Sequence, residues 1–225
     1  MRKFRLDLKI DWRSKLLDLL IVIIGITVAF KLNNWNESRK IINEEKAYAS
    51  SFYNENRINQ EKLVAVLDFS KSTKKDIDTL KTILLSKNYS DDRIQSLIGS
   101  MMAMTDFSPI TTTMENITAS GEFDVITDIE LRKNIISTYN SFKTTTTHEI
   151  LVSEYVNQYI TPFFFQNIRF SDFSSLHTDF TKDPMLENIV FGYDILLSQL
   201  ISGYKENLEK LNLLNEKLTS VNSLS

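Results

Sequence analysis

Asp18 is the side chain in this sequence with the clearest capacity for chemistry. It stands in LLDLLIVIIGITVAFKLNNWNE, residues 16–37. A carboxylate beside that much apolar surface is a candidate proton carrier, or a partner for a basic residue on another helix. A plainer role is also open: within the first turn or so of a helix, the dipole favours an anion, and Lys15 is in reach. Farther along, Gly25 and Ala29 form a small-x-x-x-small pair, which lets two helices approach closely. The stretch ends in Lys31, whose stem can lie along apolar surface while its ammonium reaches water. Asn33, Asn34 and Trp35 follow, offering amides and an indole N–H. Such a group can fix the depth of a helix at a membrane interface or dock a partner's surface.

Elsewhere the chemistry is thin. There are two histidines and no cysteine, so disulfides, zinc–thiolate sites and thiol catalysis are excluded. His148 stands in THEI without the second histidine of a zinc helix, and His177 has no second histidine near it. No Gly-x-Ser-x-Gly elbow, phosphate loop or dinucleotide fingerprint occurs. The acid pairs Glu44–Glu45 and Asp91–Asp92 fit helix starts and solvated faces. The sequence therefore predicts no catalytic residue, no cofactor and no metal ligand. A net charge of −3 lacks the basic patch that nucleic acid demands.

These residues need an element to hold them. The charge-free run 19–30 has twelve residues, and extending it through Leu16, Leu17 and Leu32 gives seventeen, with Asp18 and Lys31 near the two ends. A bilayer core of about 30 Å needs roughly 17–25 helical residues. Trp12 and Trp35, the only tryptophans, bracket the run, and the helix between them would cover about 34 Å, the spacing of two interfacial aromatic belts. No small-x-small cleavage site follows the run directly. An uncleaved transmembrane helix over 14–35 is the reading adopted. Arg2, Lys3, Arg5, Lys9, Arg13 and Lys15 precede it, against Lys31, Arg39, Lys40 and Lys46 after it. That excess predicts a cytoplasmic N-terminus and an extracytoplasmic main body. The basic tail 1–13 alternates apolar and polar residues, the period of a strand. It fits an extended segment on the membrane surface.

From 36 to 225 the chain reads as an α-helical bundle domain. Only five glycines and three prolines interrupt 225 residues, too few for many hairpins. Residues 36–87 have helical spacing, with SKST at 70–73 as a place to bend or divide. Ser90 is placed to cap a helix over 91–104, whose far end carries Met101, Met102 and Met104. A short helix over 111–120 should end at Gly121. Thr127 or Asp128 should cap the next helix, Thr127-x-x-Glu130 having capping-box spacing. That helix should stop before Pro162. TPFFFQNIRF, residues 161–170, suits an apolar loop buried under the bundle, with an exposed patch that touches membrane or a partner as the alternative. Residues 171–183 read as a polar loop and 184–221 as a long helix. In this helix Leu197, Ile201, Tyr204, Leu208, Leu211, Asn215 and Leu218 form a heptad seam, facing either 36–87 of the same chain or another subunit. The fold class is all-α: one N-terminal transmembrane helix continuing into a long-helix antiparallel bundle.

Two blocks together resemble a known family. GITVAFKLNNWNE, residues 25–37, is similar to the signature of an uncharacterised family of short membrane proteins found chiefly in Bacteroidota. There an acid precedes an apolar, Gly-containing span that ends in an Asn-Asn-Trp-Asn-Glu box. Asp18, Gly25, Asn33, Asn34, Trp35, Asn36 and Glu37 sit at matching positions. The second block, ITASGEFDVITDIELRKNIISTY, matches at Ser120, Gly121, Ile126, Asp128, Leu131 and Arg132. Lys31 departs from the uncharged polar residue usual at its place. The resemblance implies a single-pass anchor with a helical domain, and it carries no known activity.

The expectation is thus a non-enzymatic interaction or sensing module anchored by a single pass in a bacterial inner membrane, its main domain periplasmic. Its partners would be the lipid bilayer and a protein or second copy of itself, with no nucleic acid. Two alternatives stand beside it: a subunit of a transport or proton-driven membrane complex that uses Asp18, and a receptor for an apolar ligand lined by Phe163, Phe164, Phe165 and the methionines.

Overall fold

The computed structural model describes residues 12–172, 174–177 and 179–223; the expected extended tail lies outside these, apart from Trp12, which is helical. Six α-helices occur among the described residues: α1 Trp12–Leu85, α2 Ile94–Ser100, α3 Thr112–Ser120, α4 Ile129–Tyr155, α5 Thr161–Asn167 and α6 Pro184–Ser223. There is no strand among them, only an isolated bridge between Ile168 and Ser175. The all-α expectation holds. Two compact units are distinguished, Met1–Ala47 and Tyr48–Ser225.

In the second unit three long helices enclose one core. Gln60 reaches Asn212 and Lys81 reaches Asp194, so α6 runs antiparallel to α1. Asn207 donates to Thr145 and Tyr155 to the Ile189 carbonyl, so α6 is antiparallel to α4 as well. The heptad seam of α6 faces inward: Tyr204, Leu211 and Leu218 are fully buried, and Asn215 donates to Gln60. That seam is filled by the same chain. Phe52, Tyr139, Phe142 and Phe107 pack edge to face at 5.3–5.9 Å, joining α1 to α4.

The bend or division allowed for at 70–73 does not occur: α1 passes through unbroken because Ser70 and Thr73 are buried in the bundle, and tertiary packing outweighs their modest propensity. Other local expectations hold, with reasons. Gly121 ends α3 at φ 71°, in the left-handed region, its N–H bonding the Thr118 carbonyl. Asp128 caps α4, accepting from the N–H groups of Glu130 and Leu131. The hydroxyls of Thr144, Thr145, Thr146 and Thr147 each donate to the carbonyl four residues back, and α4 continues through them.

Others need correction. The helix predicted over 91–104 is only α2, and Ser90 does not cap it. Asp91 instead accepts from Arg93 at its backbone N–H and through a two-point guanidinium contact. That side-chain bond and the backbone bond hold the Asp91 carboxyl down at about 2. The chain also does not stop before Pro162. A π-turn over Val156–Ile160 leads straight into α5, with Pro162 in its first turn, the part of a helix that tolerates proline. Finally, TPFFFQNIRF is split rather than wholly buried. Phe163 and Phe164 are 8% and 5% exposed, whereas Phe165 is 63% exposed and stacks on Phe170 at 4.7 Å.

Candidate functional site

Two places in the chain hold groups whose surroundings ask for an explanation. The first is the start of α1. Every residue from 15 to 43 is exposed, and the most apolar eighteen-residue window of this helix is 0% buried. One helix near the N-terminus is therefore long and apolar enough to cross a membrane. Its one hydroxyl in the apolar run, Thr27, donates to the Ile23 carbonyl at 2.7 Å, so that polar group is satisfied within the helix.

Trp12, Asp18, Gly25, Ala29, Lys31, Asn33, Asn34 and Trp35 all lie on this exposed surface. The helix is already running at Trp12, so Asp18 is beyond its first turn, which carries no acid. The favourable dipole of a helix start is spent within that turn. At 100° per residue, Gly25, Ala29 and Asn36 all point within about 20° of Asp18. The acid and the small-residue notch thus share one face. No neighbouring atom lies within 4 Å of where a Gly25 Cβ would stand. Trp35 carries the Arg39 guanidinium over its ring at 4.9 Å, a cation–π contact one turn apart.

The second place lies within the bundle unit. The connection between α2 and α3 is fastened to α1 on one side. Asn59 both donates to the Ile110 carbonyl at 2.8 Å and accepts from its N–H at 2.7 Å. Lys62 grips the Ser108 carbonyl at 3.0 Å. Glu55 accepts from the Thr113 N–H at 2.8 Å and from the Tyr139 hydroxyl. Burial first, then that bond to Glu55, drives the Tyr139 phenol far above its ordinary range. On the other side, Glu149 of α4 receives the Phe107 N–H at 2.6 Å and the Tyr204 hydroxyl at 2.5 Å.

Beside Glu149 a groove of about 680 Å³ opens between α1, α4, α6 and this connection. Burial raises the Glu149 carboxyl above its usual value, the two hydrogen bonds oppose the rise, and the neighbouring Asp106 adds to it. Spacing alone contained this signal. Ile135, Phe142, Glu149 and Val156 recur every seven residues along α4 and into the π-turn after it, and the other three are buried core. A glutamate in that series marks an inward carboxylate, one position along from His148. His148 does line a second, polar groove with Thr145, Gly203 and Asn207. Among the described residues no group of three or more His, Cys, Asp or Glu is placed to hold a metal ion. The expected aromatic–methionine pocket is dispersed: Met101 is core, Met104 edges the Glu149 groove, and Met102 meets Phe164 at a third groove.

The model of a family of unknown function, DUF6090, matches residues 18–158. No curated protein and no solved structure matches the chain.

Proposed function

We propose a role for this chain on the footing that it belongs to the DUF6090 family: a single-pass, membrane-anchored helical module that is not an enzyme and that meets a protein partner or senses a ligand. The observation that carries the reading is the uncovered apolar segment of α1. A soluble domain leaving it in water would expose a patch far larger than monomers tolerate, and lipid is the cover its length fits. Trp12 and Trp35 would lie at the two interfaces, with Lys31 reaching out along the helix. The surplus of basic residues before the span favours a cytoplasmic N-terminus and a periplasmic bundle in a bacterial inner membrane. The partners would be the bilayer and a protein or second copy, without nucleic acid.

Alkaline carbonate extraction tests the anchor. The full chain should stay with the membrane, and release into the wash would sink the reading. A reporter active only outside the cytoplasm, fused at Ser225, tests the orientation against a cytoplasm-only control.

A second reading rests on Asp18 standing beyond the first turn, on the face of Gly25 and Ala29. It makes the chain a subunit of a transport or proton-driven complex in which Asp18 meets a basic or proton-exchanging group. Because the chain has no cysteine, Ala29→Cys supplies a unique crosslinking point. Asp18→Asn should abolish the crosslinked species without lowering the membrane level of the protein. An unchanged crosslink pattern would remove Asp18 from the interface.

A further inference from the structure

The groove beside Glu149 has the composition of a binding site that nothing so far assigns. Its floor is apolar and closed: Phe107, Val152, Tyr193, Leu197 and Leu200 are all buried. Its rim is apolar and open, with Phe69, Met104 and Ile150 38%, 49% and 52% exposed. Single exposed apolar residues need no explanation, but three converging on one apolar cavity do.

The charge in the groove has one sign. Glu149 and Asp106 line it, and no lysine, arginine or other cation does. The groove is lined from α1 by Phe69, Ser70 and Thr73 and from α6 by Tyr193, Leu197 and Leu200, and Tyr204 of α6 bonds Glu149; all are uncharged. Lys62 approaches the same connection but engages the Ser108 carbonyl. Glu149 is held rigidly by the Phe107 N–H and the Tyr204 hydroxyl. A carboxylate fixed in an apolar wall beside a second carboxylate is unfavourable unless a proton or a cation compensates it, and an ammonium ion in the groove would do so.

We propose that this groove binds a small organic ammonium ion with an aromatic or alkyl body. The ammonium would stand on Glu149 and Asp106, and the body on the apolar floor. Aromatic faces at Phe69, Phe107 and Tyr193 suit a cation as well. The groove lies wholly within residues 69–200, so the inference goes beyond the anchoring reading and fails or stands apart from it.

The test uses the full chain in lipid nanodiscs and titration calorimetry at neutral pH. The probes are 2-phenylethylammonium, 2-phenylethanol and 3-phenylpropionate, close in shape and different in charge. The ammonium should bind at least about tenfold more tightly than the alcohol, and the carboxylate should not bind. Glu149→Gln keeps acceptors for Phe107 and Tyr204 and removes the charge; it should weaken the ammonium by about tenfold or more. Asp106→Asn, at an exposed position, should weaken it severalfold and serves if Glu149→Gln does not fold. Equal binding of ammonium and alcohol, or indifference to both variants, would overturn the proposal. So would binding of N-acetyl-lysine amide without 2-phenylethylammonium, which would give the groove to a partner's lysine. Carbonate extraction reports separately on the anchor, so a negative titration leaves that reading intact.

Discussion

Glu149 illustrates how one side chain can hold a fold and be strained by it. Its carboxyl is raised above the ordinary 4.5, so the folded state holds its proton more tightly than the unfolded chain does. The stability from that proton is complete below the ordinary glutamate value and is lost as pH rises through the raised one. Urea unfolding at several pH values should therefore show wild type weakening against Glu149→Gln on going up from about pH 4. A parallel pair of curves would remove Glu149 as the titrating group. Asp194 runs the other way. Burial pushes its carboxyl up, but hydrogen bonds from Lys74 and Lys81, 2.7 and 2.5 Å away, outweigh that and leave it lowered. Its contribution is present above the ordinary aspartate value and lost as pH falls through the lowered one. Asp194→Asn should cost roughly 1–3 kcal/mol at neutral pH and little in acid, read from the same unfolding curves.

The helices show which parts of a fold periodicity reveals. Capping is local, so Asp128 was legible from its place before an apolar helix; Asp128→Ala should lower stability by about 1 kcal/mol. The close crossing of α4 and α6 at Gly192 was not legible. A Cβ there would stand 2.2 Å from the Tyr155 hydroxyl, which donates to the Ile189 carbonyl. Gly192→Ala should destabilise by about 1–3 kcal/mol, and Tyr155→Phe in the same chain should recover part of that loss. A double-mutant cycle without coupling would contradict the crossing. The π-turn before α5 was likewise hidden, because it changes backbone register without demanding any residue type. Proline rules alone placed the end of α4 at Pro162, while the π-turn makes that proline harmless. The start of α2 is hidden from the sequence because Ser90, Asp91 and Asp92 mimic a helix start upstream of it. Asp91 spends its oxygens on Arg93 instead. Apolar spacing also could not show that Glu55, Asn56 and Asn59 are buried, since their partners, Ile110, Thr113 and Tyr139, lie 51 to 84 residues farther along the chain.

At the scale of the whole molecule, composition and hydropathy made the all-α class and the apolar N-terminal helix plain. What they left hidden was the side on which polar residues face. The groove exists because a glutamate occupies a core register, and only its neighbours in space give that meaning. The second unit, Tyr48–Ser225, holds the entire buried core. A fragment beginning near Glu37 should thus be soluble, helical by circular dichroism and cooperative in thermal unfolding; a non-cooperative melt would show that the unit needs the preceding segment.

The pairings of that core also dictate a timetable. Glu55 waits for Tyr139, Lys81 for Asp194, and Gln60 for Asn212, partners 84, 113 and 152 residues farther on. While the ribosome is still making α4, the inward face of α1 has no mate, and Phe52, Leu63 and Leu80 are bare. A nascent chain of this design should thus need shielding of that face until α6 emerges, and a chain stopped within α6 should be digested by added protease where the full chain resists it.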